Sequence, residues 1–268
     1  MDRAYMGTYY ADLVGSPKAA VKLFTKKQLE SLLRKFWRGE FKEDEIPEDL
    51  FNATLDKLEI AIAKVEYTDR DEDLIKELQN NVAVFSAFKS YRQSGELLAA
   101  IVDESGNKRS FAEYLKEARK IDAEYNQNWL DAEYNIAIRQ ARSAVQWKDF
   151  EEAADVYPNL EYMSSRSAEP RDAHKALYGI IKPINDPFWS TALPPNGWGC
   201  KCWVKQTRSE ATPGKVERPE PIKGISGNAG QSGEVFSKDH PYMDISKEEK
   251  KTVQKEYLRL VKKRSNTD

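Results

Sequence analysis

Residues 160–206 read LEYMSSRSAEPRDAHKALYGIIKPINDPFWSTALPPNGWGCKCWVKQ, and this stretch decides the fold. It contains both cysteines of the chain, one of its two histidines and three of its six tryptophans, and prolines and glycines divide it into short segments. The pieces at 160–163, 178–182 and 202–206 have the apolar and aromatic composition of short strands. The stretch therefore predicts a compact module with strands, and we place its start near residue 155.

The sequence outside this module has the periodicity of amphipathic helices. Apolar residues recur every three to five positions over about 17–38, 47–65 and 71–91, with a short continuation to 101. Ser110 precedes Glu113 by three residues, which is the spacing of a capping box, and no Gly or Pro follows before Pro158. We expect one helix, kinked or straight, over about 110–148, and a final helix over about 246–264.

These patterns predict an α+β fold with four parts. Residues 1–109 form an extended, mainly helical region, and residues 110–207 combine the long helix 110–148 with the compact module 155–207. Residues 209–233 are rich in Gly, Pro, Ser and Glu and lack periodicity, so we expect a linker or extended arm over 208–245. Residues 246–268 form a basic C-terminal helix.

The composition and charge of the chain exclude several classes of protein. The formal net charge is −2, which excludes a molecule that is basic overall, so contacts with DNA would have to be local. We find neither a signal peptide nor an apolar run of membrane-spanning length, and we expect a soluble cytoplasmic chain without a membrane partner. A disulfide between Cys200 and Cys202 would close a strained ring.

The cysteines and histidines suggest a zinc site. A Cys-x-Cys pair on a strand directs both sulfurs to one face, and His174 is the natural third ligand. The fourth ligand is left open between His240, Asp172 and Asp186. In the competing interpretation both thiols and the histidine are simply buried, because Cys-x-Cys lacks the turn whose N–H groups support the sulfurs in Cys-x-x-Cys motifs.

Basic residues suggest two further hypotheses. Arg166, Arg171 and His174 have the chemistry to hold and cleave a phosphodiester, as a metal-assisted nuclease would, but a hydrogen-bond brace for the proline-rich loop explains the two arginines equally well. No residue is assigned firmly as catalytic. The basic end of the C-terminal helix is typical of a solvated helix whose charges suit the helix dipole, and contact with DNA phosphate is the alternative.

Four motifs in a fixed order then point to a family. They are Tyr-x-Gln-Asn-Trp-Leu-x-x-Glu-Tyr-Asn at 125–135, Arg-x-x-His at 171–174, Asp-Pro-Phe-Trp at 186–189 and Leu-Pro-Pro-Asn-x-Trp-Gly-Cys-Lys-Cys at 193–202. Together they resemble the phage Mu F-like head-morphogenesis domain over about residues 110–207. The order of the motifs is more specific than any of them alone.

The resemblance implies a minor head protein of a tailed phage or prophage. Such a protein is present in few copies near the portal vertex and acts in head assembly and in packaging or delivery of DNA. Its implied partners are the portal protein, capsid proteins and double-stranded DNA, and its implied locations are the virion head and, during assembly, the host cytoplasm. Family members usually carry an aspartate shortly before Arg-x-x-His, where this chain has Ser164-Ser165-Arg166-Ser167. We expect an interaction protein rather than an enzyme, and enzymatic activity stays open.

Overall fold

The computed structural model describes residues 23–217, 222–225 and 227–266. It is mainly helical and contains a three-stranded sheet, which confirms the predicted α+β fold. Contacts between its residues define two compact units: residues 23–60, 82–134 and 242–266 belong to unit 1, and the described parts of 61–81 and 135–241 belong to unit 2. Within the described residues, no helix is long and apolar enough to span a lipid bilayer.

The long helices lie close to their predicted positions. They are α1 (Lys26–Trp37), α2 (Glu48–Ala63), α3 (Glu72–Ala99), α4 (Phe111–Ala123), α5 (Leu130–Glu152) and α9 (Lys247–Ser265). The helix predicted from residue 17 begins at Lys26, because Thr25 and Gln28 form a capping box there; residues 17–22 lie outside the described residues. Ser110 and Ser246 cap α4 and α9 in the same way.

Between α4 and α5 the helix continues through a π-helical segment, Glu124–Trp129. Residues 111–152 therefore form an uninterrupted helical stretch, as predicted for about 110–148. The periodicity of the sequence did not predict the π segment. It coincides with the start of the 125–135 motif, and π segments occur frequently at functional sites.

The sheet belongs to unit 2 and has strand order β2-β1-β3, with both pairs antiparallel. The strands are β1 (Asn159–Met163), β2 (Ile181–Pro183) and β3 (Trp203–Thr207), and three short helices complete the unit: α6 (Asp172–Lys175), α7 (Trp189–Ala192) and α8 (Ala229–Ser232). The second strand begins later than predicted, because Gly179 adopts a positive φ of 78° and ends a turn there. The sheet packs into an apolar core that includes Trp147, Phe150, Leu160, Tyr162, Leu177, Trp189 and Val204.

The prediction of a linker or extended arm over 208–245 is wrong for much of that segment. Val235 and Phe236 are buried, and their backbone N–H groups donate to the side-chain oxygen of Asn81 at 2.9 and 2.8 Å. Gly230 packs on Trp147 so closely that a Cβ there would lie 2.4 Å from the Trp147 Cβ. Glycine in this segment permits close packing rather than flexibility, and the described residues from 222 to 240 form part of unit 2.

Candidate metal centre

His174, Cys200 and Cys202 converge on one point in unit 2. His174 lies on α6, and the two cysteines lie on the chain that leads into β3. The His174 Nδ1 is 3.7 Å from the Cys200 Sγ and 3.6 Å from the Cys202 Sγ. His174 and Cys200 are buried, and Cys202 is half-buried. The structure therefore brings together the three ligands named from the sequence, within 4.8 Å of one another.

These distances fit a tetrahedral zinc ion. With Zn–S bonds of about 2.3 Å and Zn–N bonds of about 2.0–2.1 Å, two ligands at a tetrahedral angle have S and N atoms roughly 3.6 Å apart. The two observed S···N separations agree with this value. Two thiolates and an imidazole are also a donor set that zinc prefers.

The backbone supports the Cys200 sulfur, contrary to our expectation for a Cys-x-Cys pair. The backbone N–H groups of Asn196 and Cys202 lower the pKa of the Cys200 thiol, against the larger opposite effects of Cys202 and burial. The loop can turn back toward the sulfur because Gly197 and Gly199 adopt positive φ angles of 141° and 65°. Gly197 is also fixed by close packing, since a Cβ there would lie 2.6 Å from the Ile222 Cδ1.

The two thiols have different pKa values, because their surroundings differ. The neighbouring Cys200 thiol, together with His174 and Tyr162, lowers the pKa of Cys202 to about 4. The neighbouring Cys202 sulfur and burial raise the pKa of Cys200. Burial and the two neighbouring thiols raise the pKa of Tyr162. Without a metal, Cys202 is therefore the more acidic of the two thiols.

Side chains from α5 hold the loop that carries the cysteines. Arg139 donates to the carbonyl oxygen of Cys200, and the Ser143 hydroxyl donates to the carbonyl oxygen of Pro194 at 2.6 Å. Such contacts fix the position of a ligand before a metal binds, which is a common property of metal sites.

The two arginines predicted for phosphate binding take different roles. Arg171 donates to the carbonyl oxygen of Trp198 at 2.8 Å, which is the brace for the proline-rich loop. Arg166 is exposed, and its guanidinium lies 4.9 Å from the centre of the Trp203 ring. The geometry of Arg171 therefore favours the bracing role over phosphate binding.

None of the residues considered as a fourth ligand joins the cluster of His174 and the two cysteines. Asp172 is almost fully exposed and forms an ion pair with Lys175 at 2.7 Å. Asp186 accepts a hydrogen bond from the backbone N–H of Phe188 at 2.8 Å. The His240 ring is buried, with its centre 6.3 Å from that of Trp198 and 6.0 Å from that of Phe236.

A second polar centre, in unit 1, was not predicted from the sequence. Lys89 and Glu133 form a fully buried ion pair. The Lys89 ammonium also donates to the Tyr125 carbonyl oxygen at 2.8 Å, and the Tyr242 hydroxyl donates to Glu133 at 2.9 Å. Burial lowers the pKa of Lys89, and Glu133 opposes this effect. Tyr125 and Glu133 belong to the 125–135 motif. This motif was the feature of the sequence that could have pointed to the buried ion pair.

Comparison with known proteins finds a family and two relatives that part of this chain resembles. Residues 96–205 match the family described as "Phage Mu protein F like protein". The chain is 35% identical over 72 residues to the "Putative capsid assembly protein F" of Escherichia phage Mu, an alignment that covers 27% of this chain and 16% of that protein. It is 32% identical over 105 residues to the "Mu-like prophage FluMu F protein" of Haemophilus influenzae, covering 35% of this chain and 24% of that protein.

The matched region thus spans less than a quarter of the length of either relative. No solved structure matches the chain significantly. The family match includes the π segment, the His174 helix and both cysteines, so the residues that carried the resemblance also lie within the matched region. Through residues 96–205, the chain is therefore similar to the Mu F-like family of phage proteins.

Proposed function

We propose that the chain is a structural component of a phage or prophage head that acts in head assembly. Its location is the virion head and, before assembly, the host cytoplasm, and its partners are capsid proteins. The family match over residues 96–205 supports this proposal, and one relative carries the name of a putative capsid assembly protein. The assembly role is inferred from the relatives, and the chain covers only a small part of their length. The role of this chain is therefore a proposal.

We further propose that the centre formed by His174, Cys200 and Cys202 binds a single zinc ion that holds the module of unit 2 together. The observation that carries this proposal is the convergence of the three donor atoms within 4.8 Å. Zinc would supply a covalent cross-link between α6 and the chain before β3. In this role the ion contributes directly to folding.

Elemental analysis of the purified chain tests the zinc proposal. We expect one zinc ion per chain, and we expect Cys200→Ser to lose it. Asp186→Asn is the matched control, because Asp186 was a candidate ligand in the sequence but its carboxylate caps a turn in the structure. The proposal fails if the wild-type chain contains no zinc, or if the control loses as much zinc as Cys200→Ser.

We propose a position at the portal vertex, with the portal protein as partner. The motifs that resemble minor head proteins support it, since such proteins are present in few copies. Quantitative mass spectrometry of purified phage particles should find far fewer copies of this chain than of the major capsid protein. A copy number equal to that of the major capsid protein would contradict this position.

A metal-assisted nuclease is the second candidate. His174 lies in a donor set that fits a metal, which favours this function, whereas Arg171 is engaged with the loop carbonyl. The hypothesis requires metal-dependent DNA cleavage that His174→Ala abolishes. A pure preparation that leaves DNA intact in the presence of zinc or magnesium would remove it.

Binding of double-stranded DNA by the basic end of α9 is the third candidate. Its cations already have partners in unit 1: Lys263 pairs with Glu48, and Arg264 pairs with Asp56 and Glu59 at 2.7 Å. Phosphate contact at these positions would have to replace those ion pairs. If this helix binds DNA, affinity should fall steeply with salt and with Lys262→Gln; an affinity that responds to neither would reject the idea.

A further inference from the structure

We propose that a pocket in unit 1 binds a small zwitterion, a molecule with an ammonium group at one end and a carboxylate at the other. The pocket has a volume of about 240 Å³ and lies between the start of α1, the end of α4 and the π segment. All of its lining residues belong to unit 1, so the inference goes beyond head assembly and does not depend on the zinc centre.

The buried end of the pocket is formed by Asp122 and Asn126. Asp122 is 6% exposed and Asn126 is 2% exposed. The Asn126 Nδ2 donates to the Asp122 Oδ1 at 2.8 Å. Because an ionised carboxylate only accepts, this contact identifies the nitrogen end of the amide. The Asn126 Oδ1 at the other end is buried and has no hydrogen-bond partner in the part of the chain that the structure describes.

These two side chains offer acceptors to an ammonium group. A buried oxygen without a donor is costly, and a buried carboxylate is normally paired with a cation. Among the described residues, no cation forms an ion pair with Asp122. Burial raises the pKa of this carboxyl group, an effect that a bound cation would oppose. An ammonium group is cationic and donates three hydrogen bonds, so it suits both the carboxylate and the amide oxygen.

The π segment explains why these side chains share one pocket. Asn126 and Gln127 follow Asp122 by four and five residues, and all three line the pocket. In an α-helix the neighbours of a residue on the same face are three and four positions away, and a residue five positions away faces elsewhere. The wider turn of the π segment, Glu124–Trp129, lets both amides face the pocket.

The other end of the pocket is exposed and cationic. Lys26 and Arg119 line it, and both residues are exposed. Arg119 pairs with Glu30 at 3.9 Å, which is long for an ion pair. Lys26 is the first residue of α1, where the helix dipole also favours an anion. This end therefore attracts a carboxylate. The aliphatic part of the ligand would contact three apolar side chains of the pocket, Leu23, Phe24 and Leu29.

Three compounds of equal chain length test this pattern of charges. The compound δ-aminovalerate carries both charges, n-pentylamine carries only the ammonium group, and valerate carries only the carboxylate. Ligand-observed NMR titrations with the full-length chain give the dissociation constants. We expect δ-aminovalerate to bind most tightly and n-pentylamine to bind more weakly. Valerate should not bind, because it leaves the buried Asp122 without a cation.

Asp122→Asn tests the buried end. It should weaken binding of δ-aminovalerate about 10–100-fold, which corresponds to the loss of a hydrogen-bonded charge pair. The matched control is Glu117→Gln, which also converts a carboxylate of α4 to an amide. Glu117 pairs with Lys120 and does not line this pocket, so we expect the control to bind as the wild-type chain does.

Lys26→Ala tests the exposed end, and it tests the inference even if Asp122→Asn does not fold. It should weaken δ-aminovalerate about two- to fivefold, the effect of losing an exposed charge pair. It should not weaken n-pentylamine, which has no carboxylate. Lys27→Ala is the matched control, because Lys27 is the next exposed lysine of α1 and does not line the pocket.

The outcomes decide the inference independently of the zinc proposal. A wild-type chain that does not bind δ-aminovalerate would overturn it, as would equal affinities for δ-aminovalerate and n-pentylamine. Equal binding by Asp122→Asn and Glu117→Gln would also overturn it. Weaker binding of δ-aminovalerate by Asp122→Asn and Lys26→Ala, but by neither control, supports it. The zinc content of the same preparation reports separately on the centre in unit 2.

Discussion

The Cys/His centre of unit 2 and the Lys89–Glu133 centre of unit 1 both place titratable groups away from water, and they satisfy those groups by different means. In unit 1, Lys89 has a carboxylate and a carbonyl as partners, and Glu133 has an ammonium and a hydroxyl. In unit 2, two sulfurs and a ring nitrogen face the same point, which is the arrangement that a soft cation stabilises. In the Lys89–Glu133 centre the charges of the two side chains neutralise each other, whereas the Cys/His centre is suited to bind a metal ion.

The backbone around each centre fits this difference. Lys89 and Glu133 lie on long helices, where the ammonium satisfies a carbonyl of the π segment. The cysteines lie on an irregular loop whose glycines with positive φ allow backbone N–H groups to reach sulfur. In a helix, the backbone N–H groups beyond the first turn are already hydrogen-bonded, whereas such a loop has several N–H groups that can contact a ligand. Irregular backbone is therefore where a metal centre is expected.

Zinc removal should have the largest effect and should act on unit 2. Binding of structural zinc contributes on the order of 10 kcal/mol or more in small zinc domains, so a chelator should greatly increase amide hydrogen exchange over 160–206. The helices α1 and α4 of unit 1 serve as the internal control and should keep their protection. Unchanged exchange over 160–206 after chelation would mean that the module does not depend on an ion.

Glu133→Ala should destabilise the chain by about 3–5 kcal/mol, because it leaves the Lys89 ammonium buried without its counter-ion. Urea unfolding measures the loss. Glu117→Ala is the matched control: Glu117 pairs with Lys120 on an exposed surface, where an ion pair contributes about 0–1 kcal/mol. Equal effects of the two substitutions would contradict the importance that we assign to burial.

Arg171→Ala should cost about 1.5–3 kcal/mol, the range for a hydrogen bond with a charged donor, since the Trp198 carbonyl loses the Arg171 guanidinium. Arg166→Ala should cost only about 0.5–1 kcal/mol, because its contact with Trp203 is exposed. Thermal unfolding of the two variants gives the comparison. A larger loss for Arg166→Ala would show that the brace is not the main role of these arginines.

The smallest effect is a difference in thiol reactivity in the metal-free chain. The pKa of Cys202 is lowered to about 4 and that of Cys200 is raised, so at pH 6 the first is a thiolate and the second a thiol. Because the thiolate is the nucleophile, iodoacetamide should modify Cys202 first. Peptide mapping should show a Cys202 rate that changes little from pH 8 to pH 5 and falls as the pH approaches about 4. Faster modification of Cys200 at pH 6 would contradict the assignment.

The sequence predicted the parts of the fold that depend on local patterns. Apolar periodicity and the capping residues Thr25, Ser110 and Ser246 located the helices, and short apolar segments located the strands. Residue type alone selected His174, Cys200 and Cys202, because few other side chains in the chain are soft donors.

The features that the sequence did not predict depend on contacts between distant segments. Tyr162 and Asn196 are ordinary polar residues in the sequence, and only the folded sheet and loop bring their side chains into a hydrogen bond of 3.0 Å. Lys89 was not singled out in the sequence, and its burial follows from packing in unit 1. Gly230 looked like a flexible position, and its role follows from its contact with Trp147. No local pattern contains this information.

X-ray absorption at the zinc edge of the full-length chain tests the central claim most directly. Two sulfur ligands at about 2.3 Å and at least one nitrogen ligand at about 2.0–2.1 Å are expected for His174, Cys200 and Cys202 around one ion. Cys202→Ser should reduce the sulfur count by one if it retains the ion. A spectrum with only oxygen and nitrogen ligands, or a chain with no zinc to measure, would contradict the account.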